Sequence, residues 1–163
     1  MRLYFLRHGD AELGGATNDS DRELTSEGIA EAECVANAVR LLKLSFTGLL
    51  SSPLDRAKQT AAIVAGQHPA IKLRIFEHLT PTSDPEKLFH ELRSFPRDSR
   101  ILLVSHEPFI SHCIATLTSG GTQPKISVKK ASLACVEVGS PIQRGAGILL
   151  WLLTNEQMKL MNK

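Results

Sequence analysis

The chain has 163 residues, enough for one domain with a real core, and its 42% hydrophobic and 22% charged residues are ordinary for a soluble globular protein. A net charge of +2 gives no electrostatic case for nucleic acid or an acidic membrane surface. The longest apolar stretch, Gly147 to Leu153, is strand-sized, which argues against a bilayer span. Cys34, Cys113 and Cys135 are odd in number and widely spaced, which fits neither a disulfide framework nor a zinc site. Buried thiols in a reducing compartment are expected. The first residues begin a strand with no secretion signal before it, so a cytoplasmic location is the default expectation.

The first predicted strand is Arg2-Leu3-Tyr4-Phe5-Leu6-Arg7, followed at once by His8 and Gly9. A short apolar run ending in a breaker reads as a buried strand of a parallel sheet. Such strands deliver ligand-binding residues at their carboxyl ends. Residues Asp10 to Leu24 form a polar loop. Thr25 or Ser26 can then cap a helix running to about Lys43, with Ile29, Ala32, Ala36, Val39 and Leu42 on its inner face. A second strand, Gly48-Leu49-Leu50, ends in Ser51-Ser52-Pro53. Ser52 as cap and Pro53 at the first helical position predict a helix with Arg56 in its first turn.

Ile71 to Ile75 alternates and reads as a third, less buried strand. Asp84-Pro85 starts a helix with Leu88, Phe89 and Leu92 inward. Ile101-Leu102-Leu103-Val104 is a central strand ending in Ser105-His106-Glu107-Pro108, and Pro108 opens a helix burying Ile110, Ile114 and Leu117. Residues from Gly120 to Pro124 form a turn. Two final strands, near Ser132 to Val138 and Ile148 to Leu153, are joined by a Gly/Pro-rich connection. No repeat or linker divides the chain. The expected fold is a single α/β domain over residues 1–163, three-layer α/β/α on a mainly parallel sheet.

In a parallel sheet the strand ends share one edge, so Arg7, His8, Arg56 and His106 can converge. Two arginines and two histidines around one crevice make an anion site with a nucleophile in it, and a helix N-terminus would add its amides. An imidazole is nucleophilic only when one nitrogen is unprotonated, so His8 needs an acceptor for its other ring N–H. A backbone carbonyl just after Gly9 could serve.

Leu6-Arg7-His8-Gly9, Ser51 to Ala61 and Val104-Ser105-His106 resemble, in order, the three motifs of the histidine phosphatase superfamily. The short length, Arg7-His8-Gly9-Asp10-Ala11, Arg22-Glu23-Leu24-Thr25 and Glu77-His78-Leu79-Thr80-Pro81 are similar to its SixA-type protein phosphohistidine phosphatases. The resemblance implies a phosphoglycerate mutase-like fold and attack of His8 on phosphorus, through a phosphohistidine enzyme that water hydrolyses. It implies Arg7, Arg56 and His106 on the phosphoryl oxygens, no metal or other cofactor, and a His-phosphorylated protein such as a histidine phosphotransfer domain as partner. No nucleic acid or membrane partner is implied, and a monomer is favoured. Larger members add an acidic proton donor for alcohol leaving groups. Glu77 lies in the corresponding region but in a segment the short members share, while Asp10 and Glu107 merely neighbour the motifs. Arg22 is either a surface residue or a substrate contact. Lys129 and Lys130 either line the crevice or belong to a solvated face. His68, His78, His90 and His112 read as structural or surface residues. A phosphatase of small phosphate esters and a non-catalytic phosphate-binding adaptor are the alternative functions; a mutase of phosphorylated sugar acids fits the short chain less well.

Overall fold

In a computed structural model, which describes residues 1–13, 18–66, 71–121 and 125–161, one sheet runs through the described chain. Its strands are β1 (Arg2–Arg7), β2 (Gly48–Ser51), β3 (Leu73–Ile75), β4 (Arg100–Ser105), β5 (Leu133–Glu137) and β6 (Ile148–Leu153). They lie in the order β3-β2-β4-β1-β5-β6. Pairings among β1, β4, β2 and β3 are parallel, while β5 and β6 add an antiparallel edge. The mainly parallel α/β architecture expected from the sequence is therefore observed.

The helices are α1 (Ser26–Leu41), α2 (Asp55–Ala65), α3 (Pro85–Leu92), α4 (Phe109–Ser119) and α5 (Asn155–Met161). Side-chain alternation sorts them into two layers. Leu3 and Phe5 of β1 and Ile101 and Leu103 of β4 pack against α3 and α4. Tyr4, Leu6, Leu102 and Val104 face α1, α2 and Met158 of α5 on the other side. Covered on both faces, β1 and β4 need an unbroken apolar run, which is what their sequences supply.

Several boundaries differ from the sequence reading for local reasons. Thr25 does cap α1, its Oγ1 accepting the Gly28 N–H at 3.1 Å. However, the buried residues are Gly28, Ala32, Cys34, Val35, Ala36, Ala38 and Val39; Ile29 and Leu42 are exposed at 43% and 36%. Small residues carry this face because α1 also packs against α2 and the loop after β1. Helix α2 starts at Asp55 with Leu54 as its cap, two residues later than Ser52 and Pro53 implied. The Ser52 side chain is instead drawn into the site described below. Strand β3 is only three residues long, as suits a sheet edge. Helix α3 begins at Pro85 with the Asp84 side chain capping Glu86, as read from sequence. Helix α5 was not anticipated; its seven residues follow β6 directly and bury Asn155 and Met158. His68 and the stretch 122–124 of the expected turn lie outside the described residues.

Cys113 and Cys135 are buried thiols, and Cys34 is buried with its Sγ 4.0 Å from the Asn155 carbonyl. Among the described residues no helix is long and apolar enough to cross a membrane.

Candidate active site

The sheet register places the site. Arg7 at the end of β1 pairs with Ser105 at the end of β4, and the His8 N–H donates to the Ser105 carbonyl at 3.1 Å. His106 follows Ser105 directly, so the two imidazoles meet with ring centroids 4.9 Å apart. On the other side, the Arg7 N–H bonds the Ser132 carbonyl and Ala131 donates its N–H to the His8 carbonyl, both at 3.1 Å. Ala131 holds φ +49°, a left-handed conformation that costs free energy and persists because its fully buried setting fixes it. The backbone around His8 is thus tied to both neighbouring strands.

Close glycine packing sets the next turn. A Cβ on Gly9 would lie 2.5 Å from the Gly28 carbonyl oxygen, and one on Gly28 would collide with the Asp10 carbonyl. The loop after β1 and the first turn of α1 therefore interlock backbone to backbone, which only glycine at both points allows. The Gly9 N–H donates to Thr60 Oγ1 at 3.2 Å, and that hydroxyl donates to the Arg56 carbonyl at 2.8 Å. Thr60 so couples the first turn of α2, and Arg56 with it, to the His8 loop.

His8 Nδ1 lies 2.6 Å from the Gly9 carbonyl oxygen. A carbonyl only accepts, so Nδ1 carries the proton and Nε2 keeps its lone pair. The acceptor expected just after Gly9 is Gly9 itself. Burial chiefly, with Arg56, Arg7 and Arg22 adding repulsion, lowers the His8 pKa to about 4. His106 falls to about 3, again mainly through burial, with His8 and Arg56 next. Both rings are neutral at neutral pH. His106 Nε2 sits 2.8 Å from Ser52 Oγ, and among the described residues its buried Nδ1 has no partner. Arg7 donates from Nη1 to the Val128 carbonyl at 2.8 Å, and its buried Nε has no partner among the described residues. Burial pulls its pKa down, opposed by Glu107 and Glu31.

Arg56 is only 4% exposed. Its Nη1 donates to the Asp19 carbonyl at 2.6 Å and its Nη2 to Asp19 Oδ2 at 3.0 Å. Asp19 opens a short 3-10 turn, Asp19–Asp21, within the loop after β1. Arg22 donates to Asp19 Oδ1 at 2.8 Å and to the Glu12 carbonyl at 2.6 Å, so it touches the site through Asp19. The structure therefore brings Arg7, His8, Arg56 and His106 together, with Arg22 one carboxylate away.

The remaining candidates lie around this group. Lys130 pairs with Asp10 at 2.5 Å, and Lys129 with Glu156 at 3.8 Å. Both lysines line a cavity of about 370 Å³ beside Arg7, together with Glu31, Asn155 and Lys159. Asp10 also accepts from Thr25 Oγ1 at 2.7 Å, and Lys130 first and Thr25 second hold its carboxyl below the usual range. Glu107 accepts the Ser111 N–H at 3.1 Å. Glu77 is exposed on a 3-10 turn, and among the described residues its carboxylate makes no hydrogen bond or ion pair. His78 stacks edge-on against Phe76, and His112 lies on α4. Among the described residues no group of three or more His, Cys, Asp or Glu side chains is placed to hold a metal ion.

Sequence reasoning missed Asp19, Ser52 and Thr60 as parts of this site. Ser52 and Thr60 stand inside the motif read from Ser51 to Ala61, but side-chain direction was not deducible. Asp19 sits in a polar loop with no pattern to single it out.

The six-stranded α/β sheet gathers two arginines and two neutral histidines at one strand-end edge, an arrangement suited to an oxyanion. Residues 3–81 match the family model of the histidine phosphatase superfamily (branch 1). An uncharacterised protein of Picosynechococcus sp. is 33% identical over 98% of this chain and 99% of its own. The phosphohistidine phosphatase SixA of Escherichia coli K12 is 28% identical over 98% of each chain. The solved structure of the protein histidine phosphatase SixA complexed with tungstate superposes with a TM-score of 0.83 at 27% identity, covering 97% of this chain and 99% of that one. The chain belongs to the histidine phosphatase superfamily, and it is a hydrolase.

Proposed function

We propose that the protein is a phosphohistidine phosphatase acting on a His-phosphorylated signalling protein, such as a phosphotransfer domain. His8 Nε2 attacks phosphorus, a P–N bond to His8 forms, and the P–N bond to the substrate imidazole breaks. Water then attacks the phosphoenzyme, inorganic phosphate leaves, and His8 regains its lone pair. Arg7, Arg56 and the His106 ring carry the charge spread over the phosphoryl oxygens, which is where phosphoryl transfer needs help most. The observation that carries this reading is the His8 tautomer: the Gly9 carbonyl takes the Nδ1 proton and burial keeps the ring neutral, so Nε2 is a nucleophile at neutral pH.

The choice of substrate is supported by the carboxylates. Asp10 and Asp19 are both held below the usual range by their cationic partners, so they stay ionised and have no proton to give. An alkyl ester expels a basic alkoxide, for which a positioned acid is worth about a hundred- to ten-thousand-fold. Phosphohistidine releases an imidazole whose conjugate acid titrates near ~6.5, so it can leave protonated or take a proton from water. The relationship to SixA supports the same choice.

Side-by-side kinetics test it. kcat/KM is expected to be highest on a phosphohistidine-bearing domain, intermediate on an activated aryl phosphate, and lowest on glycerol phosphate. Equal or better turnover of glycerol phosphate would reject the phosphohistidine substrate and direct attention to Glu77 as an acid.

A further inference from the structure

Arg56 has two of its five N–H donors taken by Asp19. Both of its terminal nitrogens are bound to Asp19, one to the carbonyl and one to the carboxylate. The second carboxylate oxygen goes to Arg22. A carboxylate clamped between two guanidinium groups imitates how an oxyanion sits on an arginine fork. The 3-10 turn that carries Asp19 buries none of its own residues, and the Asp19 side chain is 62% exposed. Core packing therefore does not account for its place against a nearly buried arginine. Its strongest ties are to the two cations.

We propose that Asp19 is an autoinhibitory contact, an internal anion that competes with an incoming oxyanion for Arg56. The proposal rests on reading Arg56 as a phosphoryl contact. A phosphoryl dianion displaces the carboxylate because it brings a second charge and a third oxygen, which Arg7 and His106 can engage. A singly charged anion offers Arg56 only what Asp19 already gives, so it gains little by exchange. The displaced carboxylate remains on Arg22, itself anchored by the Glu12 carbonyl, so the exchange is a local shift. Asp19 thus lowers the affinity of the site for oxyanions, so that weakly binding monoanions leave it empty.

The opposite role, Asp19 positioning Arg56 for substrate, differs in sign and is tested together with it. Calorimetric titration of the whole chain with tungstate, and separately with formate, compares wild type with Asp19→Asn and Asp19→Ala. Removing the competing charge should tighten tungstate about ten-fold, the scale of one charge-assisted contact. Formate should tighten as well, because it competes with the same carboxylate. Unchanged or weaker tungstate binding in both variants would overturn the proposal and favour the positioning role. A wild-type measurement covers the case of poorly folded variants. The 13C-detected titration of the Asp19 carboxyl should move to higher pH when tungstate saturates the site, because Arg56 has left it. No movement would count against displacement. Failure of tungstate to bind any of the three chains would instead remove the anion-site reading as a whole. Loss of phosphohistidine turnover with the tighter tungstate binding intact would leave Asp19's role standing.

Discussion

The Nδ1 proton of His8 is held by the carbonyl of the very next residue, Gly9, across 2.6 Å. The acceptor is backbone, so no side-chain substitution elsewhere removes it. The ring should therefore be a neutral Nδ1–H tautomer throughout the physiological range, and NMR titration of its ring resonances should show protonation only near pH 4. Quenching a reaction under non-acidic conditions should leave acid-labile phosphate on His8, and His8→Ala should retain no more than trace activity. Substantial turnover in that variant would assign the nucleophile elsewhere.

The same depressed values make stability pH-dependent in a defined window. Unfolded histidine titrates near ~6.5. In the fold His8 titrates at about 4 and His106 at about 3. Between those limits the unfolded chain binds protons that the folded chain refuses, so stability rises with pH across the window and is lost as pH falls through it. His8 alone corresponds to roughly 3 kcal/mol from pH ~6.5 down to ~4. Urea midpoints should drop steadily over that range, and His8→Asn should flatten the drop. Asp10 and Asp19 act at lower pH, because their folded values lie below the ordinary carboxylate range. A midpoint that stays level from pH 6.5 to 4.5 would contradict the burial of neutral rings.

Arg7 and Arg56 should not tolerate lysine. Each presents a planar donor fork, and lysine keeps the charge while losing the paired donors. Either Arg→Lys change should lower kcat by about ten- to a thousand-fold, the range for removing one preorganised donor. Near wild-type turnover in Arg56→Lys would place Arg56 outside the chemistry.

Gly28→Ala probes the interlock between α1 and the His8 loop. The added methyl meets the Asp10 backbone carbonyl, and a backbone cannot swing aside as a flexible side chain would. Overpacking of this kind costs about 1–3 kcal/mol, and the forced shift acts on the turn that carries Gly9. Thermal unfolding should show the loss of stability, with a fall in kcat beside it. An unperturbed Tm would mean that the turn is more pliant than its contacts suggest.

The sequence made the main architecture legible because both-face burial writes continuous apolar strands, as in β1 and β4. The convergence of Arg7, His8, Arg56 and His106 was legible for the same reason: each stands at or just beyond a parallel strand's carboxyl end. What was not legible depends on tertiary direction. Ser52 looks like a helix cap by local rules, yet its hydroxyl turns to His106 and the helix starts two residues later. Ile29 and Leu42 have helical spacing, but close packing of α1 selects its small residues for the inner face. Asp19 carries no periodic signal at all. Its position follows from two arginines that are distant or unremarkable in sequence.

The Ser52–His106 contact leads to a last expectation. His106 is neutral at neutral pH, so its ring carries one proton, on Nε2 or on Nδ1. With the proton on Nε2, the ring would donate to Ser52 and turn a lone pair at Nδ1 toward any nearby oxyanion, which repels it. With the proton on Nδ1, the Ser52 hydroxyl donates to Nε2 and the unpartnered Nδ1–H is the group left for a phosphoryl oxygen. The Ser52 hydroxyl oxygen also accepts from the Leu54 nitrogen at 3.4 Å, and its own hydrogen is available to the imidazole. In that tautomer Ser52 is the positioning residue for the His106 ring. Ser52→Ala should lower kcat about ten- to a hundred-fold, somewhat less than deleting the donor itself, with KM little changed. Nitrogen NMR of the wild type should show His106 protonated at Nδ1, with Nε2 protonation appearing in the variant. A wild-type ring already protonated at Nε2, or a variant with full kcat, would remove Ser52 from the mechanism.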